Sequence, residues 1–451
     1  MKRSSNGIIN SLDDSILERF CSYILPKIHY KIKWLDLEPL CMERILLVAD
    51  YPNLHGLSLF NIERDTILRL FGVCTYVLTM CTNLLCLKFH PYSDIYVDFS
   101  ERLSFESIKS ASFFSSNLME LHINVDDFTD CLYLLDGRFQ QLRTFYVDIR
   151  LFTPPSQAII NKKELIHLKC FSLTCGLEIM FYEESMVPLL HRMSNLEELF
   201  LNVSIGRSTP IKSFIDGNDL KIDIMSHMPK LNKFVFSIHS NLNVDDLTHL
   251  PSNEDIQRTF KGLEDYQIIS YIHYFPDDCI GQCHMYSQPY TMNYLYRLTN
   301  SFPGGLFKFV HKVSLYDEHP FEHEFFIRIA QSFPLLRTLS IDNESPQKHK
   351  QRQQLNKDRR SLPVIKYAHL TLLSLNSAHN DYIEQFLIHT KTCLSNYISL
   401  DVYYPSLQKV TNNFTRDTTR INCAKINYIY NIDKWNVSKH FHTYFPYVEK
   451  F

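Results

Sequence analysis

The chain has 451 residues, with 46 Lys and Arg set against 49 Asp and Glu, so its formal net charge of −3 supplies no global field that would select a polyanion or an anionic membrane. Hydrophobic residues make up 45% and aromatics 13%, which excludes the composition of a disordered chain and allows a large buried core. The 12 cysteines follow no regular frame in a chain too long to need disulfide staples, and several sit in apolar surroundings, as Cys74, Cys81 and Cys86 do, which points to a reducing compartment.

At the N-terminus, Met1-Lys-Arg-Ser-Ser-Asn-Gly carries two basic residues with no apolar signal segment behind them, and the longest apolar run, Leu70 to Met80, is too short to span a bilayer. The expected setting is therefore the cytoplasm or nucleus, with no membrane. Sequons at Asn202, Asn343, Asn413 and Asn436 weigh less than the missing signal, because an Asn-rich chain produces them by chance. Residues 1–31 read as an N-terminal helical cap, and 32–451 as one repeating ladder.

The ladder starts at Ile32-Lys-Trp-Leu-Asp-Leu37, with apolar residues at the first, fourth and sixth positions. Further rungs begin at Leu54, Leu84, Leu118, Leu142, Leu168, Leu196 and Leu231, as in Leu118-Met-Glu-Leu-His-Ile123 and Leu142-Arg-Thr-Phe-Tyr-Val147. The cleanest is Leu196-Glu-Glu-Leu-Phe-Leu201. Rung starts are separated by 22 residues (Ile32 to Leu54) up to 35 (Leu196 to Leu231), so several units must carry a full helix or an enlarged loop. Helical patterns fall between rungs at Thr66 to Met80, Phe128 to Phe139 and Met180 to Met193. Each rung is approached through a turn-forming residue, as in Tyr51-Pro-Asn-Leu54, Cys81-Thr-Asn-Leu84 and Met193-Ser-Asn-Leu196, where Pro and Asn end a helix and turn the chain into a strand. The expectation is an α/β leucine-rich-repeat-like solenoid, a curved parallel sheet inside and helices outside.

The rhythm breaks after Leu231, and an irregular insertion is expected at about 240–309, holding a hairpin or two irregular strands at Ile268 to Phe275 and from Cys283 onward. Rungs resume at Val310 and recur at Leu336, Leu370, Tyr397 and Ile421; the aromatic tail Trp435 to Phe451 is expected to cap the last one.

The rungs from Ile32 to about Ile426, with Phe333-Pro-Leu-Leu-Arg-Thr-Leu-Ser-Ile-Asp342 and Tyr271-Ile-His-Tyr-Phe-Pro-Asp-Asp278, resemble the degenerate leucine-rich-repeat region of F-box proteins from a large invertebrate expansion. The resemblance implies protein binding by the repeats and a role as substrate adaptor of a ubiquitin ligase, with a ligase scaffold as second partner. The residues before Ile32 are too few for a complete F-box and a linker, so the F-box itself is expected to be missing, although Leu12 to Leu17 and Phe20 to Ile24 resemble the start of one. The Asn or Cys that such repeats carry eight residues after the first Leu is replaced here by Ile62, Asp126, Arg150 and Ser204, so irregular turns are expected.

Three motifs with chemistry stand beside this reading. His319-Pro-Phe-Glu-His323 fits H-x-x-E-H, in which two His on one helical face hold zinc and the Glu is a general base, making a zinc-dependent hydrolase the alternative function; Pro320 places His319 ahead of the helix and favours a plain helix start. His273, Cys279, Cys283 and His284 are zinc-ligand types, but their spacing is loose and no second Cys pair follows, so they read as buried or partly buried cysteines and surface histidines. The basic run Lys348 to Arg360 suits an RNA-associated scaffold, or a solvated loop. No phosphate-cradling loop or nucleophile elbow occurs, and the reading assigns no catalytic residue, metal ligand or cofactor, with nucleic acid not expected as a partner.

Strand alternation then selects a binding face. If the apolar rung positions point to the core, residues two, four and six places after the first point the other way. This places His122, Asn124, Tyr146, Asp148, Glu198, Phe200 and Asn202 on one solvated face as the expected partner-binding set, with Tyr146 and Phe200 as its aromatic anchors.

Overall fold

In the computed structural model, residues 14–62, 75, 77–91, 102–105, 114–154, 163–207, 213–244, 251–348, 363–395, 397–430 and 440–448 are described. The chain divides into two units, one comprising 1–270 with 282–288, the other 271–281 with 289–451. Most of the Thr66–Met80 helical pattern, nearly all of the basic run Lys348–Arg360, and parts of the N-terminal cap and of the tail lie outside the described residues.

In the first unit every rung becomes a strand. These are β1 (Trp34–Leu37), β2 (Gly56–Ile62), β3 (Cys86–Pro91), β4 (Glu120–Asp127), β5 (Thr144–Leu151), β6 (Cys170–Ile179), β7 (Glu198–Gly206) and β8 (Lys233–Asn243), laid side by side in chain order and all parallel. The rung pattern explains the register. Its first Leu is buried in the turn, and the next two apolar residues, two apart, share a face because side chains alternate along a strand. Leu57, Leu87, Leu121, Phe145, Phe171, Leu199 and Phe234 thus form one continuous row, and Leu59, Phe89, Ile123, Val147, Leu173, Leu201 and Phe236 the next, every member at most 5% exposed.

The turns are tied by a side-chain ladder at a place other than the expected one. Asn53, Asn83, Asn117 and Asn195, each immediately before a first rung residue, donate Nδ2 to backbone carbonyls of the preceding turn at Tyr30, Pro52, Thr82 and Ile166, at 2.7, 2.6, 2.5 and 3.1 Å. Carbonyls that a turn leaves without a backbone partner are satisfied in this way. The position eight residues on, where the Asn was sought, is inside or just past the strand.

Short helices alternate with the strands along the chain. Phe128–Leu134 starts in a capping box, with Asp127 Oδ1 accepting from the Thr129 N–H at 2.8 Å and Asp130 Oδ2 from the Asp127 N–H at 3.1 Å. Asp130 Oδ1 also accepts from the Phe105 N–H at 2.7 Å, yet burial outweighs these bonds and pushes its carboxyl up to about 6. A raised pKa means that the folded chain holds this proton more tightly than the unfolded one, so the contribution is present below the ordinary carboxyl value and lost as pH rises through about 6. Denaturant melts of wild type and Asp130→Asn should therefore shift in the variant's favour between about pH 4 and 6, by up to about 2–3 kcal/mol; a pH-independent difference would show that Asp130 does not change protonation there.

Strands β9 (Ile269–Phe275) and β10 (Ile280–Tyr286) form the expected hairpin, and the division between the units falls within it. The second unit holds β11 (Tyr294–Leu298), β12 (Lys312–Tyr316), β13 (Thr338–Asn343), β14 (Ile365–Tyr367), β15 (Leu372–Ala378), β16 (Thr392–Leu394), β17 (Ile398–Asp401) and β18 (Ile426–Ile429). β11-β12-β13-β15-β17-β18 make a parallel sheet, while β14 and β16 pair in a small sheet of their own. Its core row is Val313, Leu339, Leu373 and Leu400.

Three expectations shift here. β11 already belongs to this sheet, so the regular part restarts before Val310. Tyr397 is 51% exposed with φ of 63°, and the buried residue is Ile398. Ile421 lies 52% exposed on the helix Asp417–Cys423, and the strand follows at Ile426. The Tyr397 rung still puts Leu400 in the core row, in unshifted register with Leu373, and the register shift between Ile398 and Ser399 falls only in the pairing with β18. The chain is thus a mixed α/β protein with two large parallel sheets, and among the described residues there is no closed barrel and no helix long and apolar enough to cross a membrane.

Candidate functional site

The second face of the first unit's sheet carries the expected partner-binding residues in register. His122 pairs with Tyr146, Asn124 with Asp148, and the rows run on through Ser172 to Phe200 and through Thr174 to Asn202. The buried–open alternation of β4 and β5 is the one the rungs require.

The structure brings His122 and Tyr146 together as stacked rings, with centroids 4.3 Å apart and planes 13° from parallel. Glu120 joins them: its Oε1 accepts from His122 Nε2 and from Lys88 Nζ, both at 2.7 Å. Burial opposes ionisation of Glu120, but the bonds from Lys88 and His122 outweigh it and hold the carboxyl below its usual range. Burial also pushes the His122 imidazole down, aided by Lys88 and opposed by Glu120, so the ring is neutral at pH 7. Tyr146 is half-buried, its phenol raised first by burial and then by Cys170, whose Sγ lies 3.6 Å from its oxygen. Burial likewise raises the Cys170 thiol, so this cysteine is not an activated nucleophile.

Toward β7 the face closes, and two expected site residues are corrected. Phe200 is only 9% exposed, with Lys233 Nζ 4.8 Å over its ring, and Asn202 is 3% exposed between Thr174 and Ser237. A lateral polar network runs alongside them across β6, β7, β8 and β10. Asn241 Nδ2 donates to Glu178 Oε1 and Ser204 Oγ at 2.6 and 3.2 Å, Gln282 Nε2 donates to Asn241 Oδ1 at 2.8 Å, and Ser237 Oγ bonds His284 Nε2 at 2.9 Å. Glu198 is paired with Lys233 at 3.0 Å, and Asp148 with the nearly buried Arg102 at 2.9 Å. The half-open part of the face thus includes Lys88, Glu120, His122, Asn124 and Tyr146 together with the ion-paired Asp148 and Glu198, whose side chains are 36% and 41% exposed. Lys88 lies at the same rung offset as His122 and Tyr146, four residues after the first Leu, so the spacing contained it. Arg102 lies outside every rung and had no signal.

In the second unit, the two zinc motifs come apart and recombine. His323 begins the helix His323–Ser332 and is buried, its ring nitrogens bonded to Gln385 Oε1 and to the Pro363 carbonyl at 3.2 and 2.9 Å. Glu322 Oε1 accepts from the Lys348 N–H at 2.8 Å. His319 sits ahead of the helix, so the H-x-x-E-H residues share no face. Of the other set, Cys279 is exposed, and Cys283 and His284 are buried on β10 in the first unit. One histidine from each motif, His273 and His319, instead meets Asp317, a residue that neither motif contains.

Asp317 is 2% exposed and well satisfied. Its Oδ1 accepts from His273 Nε2 at 3.2 Å and the His319 N–H at 2.8 Å, and its Oδ2 from the Asn300 N–H and Nδ2 at 2.7 and 3.1 Å. Burial works against its charge, but these donors prevail and hold the carboxyl below the usual range. Compared with known proteins, the chain matches no family model and no curated protein.

Proposed function

We propose that the chain is a protein-recognition scaffold, a leucine-rich-repeat-like solenoid whose partner docks on the open face of β3, β4 and β5. The observation that carries this reading is the stacked His122–Tyr146 pair with the Lys88–Glu120 ion pair hydrogen-bonded beside it. Aromatic rings at a half-buried site, flanked by charges already held in place, lose little conformational freedom on binding and resemble the anchors of protein interfaces. The in-register apolar rows support the repeat architecture, since each strand covers its core face with the next unit.

The resemblance to F-box leucine-rich-repeat proteins makes a substrate adaptor of a ubiquitin ligase the specific form of this proposal. Affinity capture from native cells, with wild type and with His122→Ala/Tyr146→Ala, tests both parts. A partner recovered by wild type alone is expected, and a ligase scaffold recovered by both proteins would support the adaptor form. A partner held equally by both proteins moves the binding surface off this face, and absence of any ligase scaffold removes the adaptor form.

A further inference from the structure

We propose that His273, Asp317 and His319 bind a divalent transition-metal ion of the zinc type. Two imidazoles and a carboxylate are a zinc ligand set with one position left over. Their donor atoms all lie within 4.8 Å of one another, with His273 Nε2 at 3.2 Å and His319 Nδ1 at 3.5 Å from Asp317 Oδ1. Tetrahedral coordination with bonds of about 2.0–2.2 Å separates neighbouring donors by about 3.3–3.6 Å. The two spacings to Asp317 Oδ1 are already close to that range, and the third, between the two imidazole nitrogens, is within 4.8 Å, so the adjustment the ion asks for falls on the exposed His319 ring.

Outer partners orient the ligands as metal sites require. Ser301 Oγ lies 2.9 Å from His273 Nδ1; when Nδ1–H donates to it, the Nε2 lone pair is turned toward Asp317. Asn300 holds Asp317 Oδ2, which leaves Oδ1 as the ligating oxygen. The loop carrying His319 is pinned as well. Its carbonyl accepts from Asn343 Nδ2 at 2.8 Å and Asn300 Nδ2 at 3.1 Å, and Glu318 accepts from the Asp277 and Asp278 N–H groups at 2.8 and 3.1 Å, tying the loop to the hairpin turn that follows His273. The side chains of His273 and Asp317 are 9% and 0% exposed while His319 is 53% exposed, which gives the ion a route in and puts the fourth position toward solvent. The competing state of the same atoms has a proton in place of the metal, shared between His273 Nε2 and Asp317 Oδ1.

The test uses the full chain, stripped with a chelator and titrated with Co²⁺ and then Zn²⁺. One equivalent of Co²⁺ is expected to give tetrahedral visible bands that Zn²⁺ abolishes, and His319→Ala should lower the affinity at least about 10–100-fold, the range already seen for loss of an outer partner. His319 is exposed, so this variant keeps the fold; His273→Gln is a second variant, checked by its far-UV spectrum. Equal stoichiometry and affinity in wild type and both folded variants, or no uptake by wild type at micromolar free metal, would overturn the proposal and leave the proton-bridged cluster.

Discussion

Replacing His122 and Tyr146 together by alanine is expected to weaken the docked partner's affinity at least about tenfold while leaving the cooperative melt in place. Each ring belongs to the second face of its strand, and the core below is filled by Leu121, Ile123, Phe145 and Val147, none more than 3% exposed. Loss of two stacked aromatics at an interface removes about 2 kcal/mol or more for each anchor, and about 1.4 kcal/mol already corresponds to tenfold. Tyr146 with Phe200, the pair that alternation alone selects, is a poorer choice because Phe200 is buried and its removal would disturb packing as well as binding. Neutralising the basic run Lys348 to Arg360 should change the affinity little. Binding that survives the double variant and fails with the neutralised run would relocate the site, and a double variant that does not fold would show that these rings are part of the core.

The second large effect is on stability. Leu199→Ala is expected to cost about 2–5 kcal/mol, because Leu199 is fully buried between Phe171 and Phe234 and the parallel strands on either side cannot collapse into the space. Glu198→Ala, one residue away on the other face, should cost under about 1 kcal/mol, since its pairing with Lys233 is well exposed. Denaturant melts measure both. Equal losses would mean that the strand does not separate a core face from an open one.

The rungs were readable because a six-residue apolar pattern is local: it sets which side chains point inward whatever the rest of the chain does. The approach residues were visible too, but their role was read only as helix termination. The carbonyls that Asn53, Asn83, Asn117 and Asn195 reach lie 23 to 35 residues away, and only the stacked turns supply them. Tyr397 and Ile421 were misplaced for the opposite reason. Their spacing resembles a rung, but Tyr397 takes a positive φ and turns outward beside the buried Ile398, and Ile421 stays on a helix ahead of the strand that begins at Ile426.

For the sites the division is sharper. By itself the sequence determined the alternation that puts His122 and Tyr146 on one face, and it supplied His273 and His319 as ligand types. It assigned each histidine to the neighbours nearest in the chain, His319 to Glu322 and His323, and His273 to the cysteines that follow it. Only the tertiary structure decided that both turn to Asp317, because the hairpin turn at Asp277 and Asp278 is bonded to Glu318, forty residues on. It also decided that Phe200 and Asn202 are covered while His122 and Tyr146 stay half open, since burial depends on which side chains of neighbouring strands lie across the face, as Lys233 lies over the Phe200 ring. A periodic pattern specifies direction along a strand, but coverage and ligand geometry are set by contacts between residues far apart in the chain.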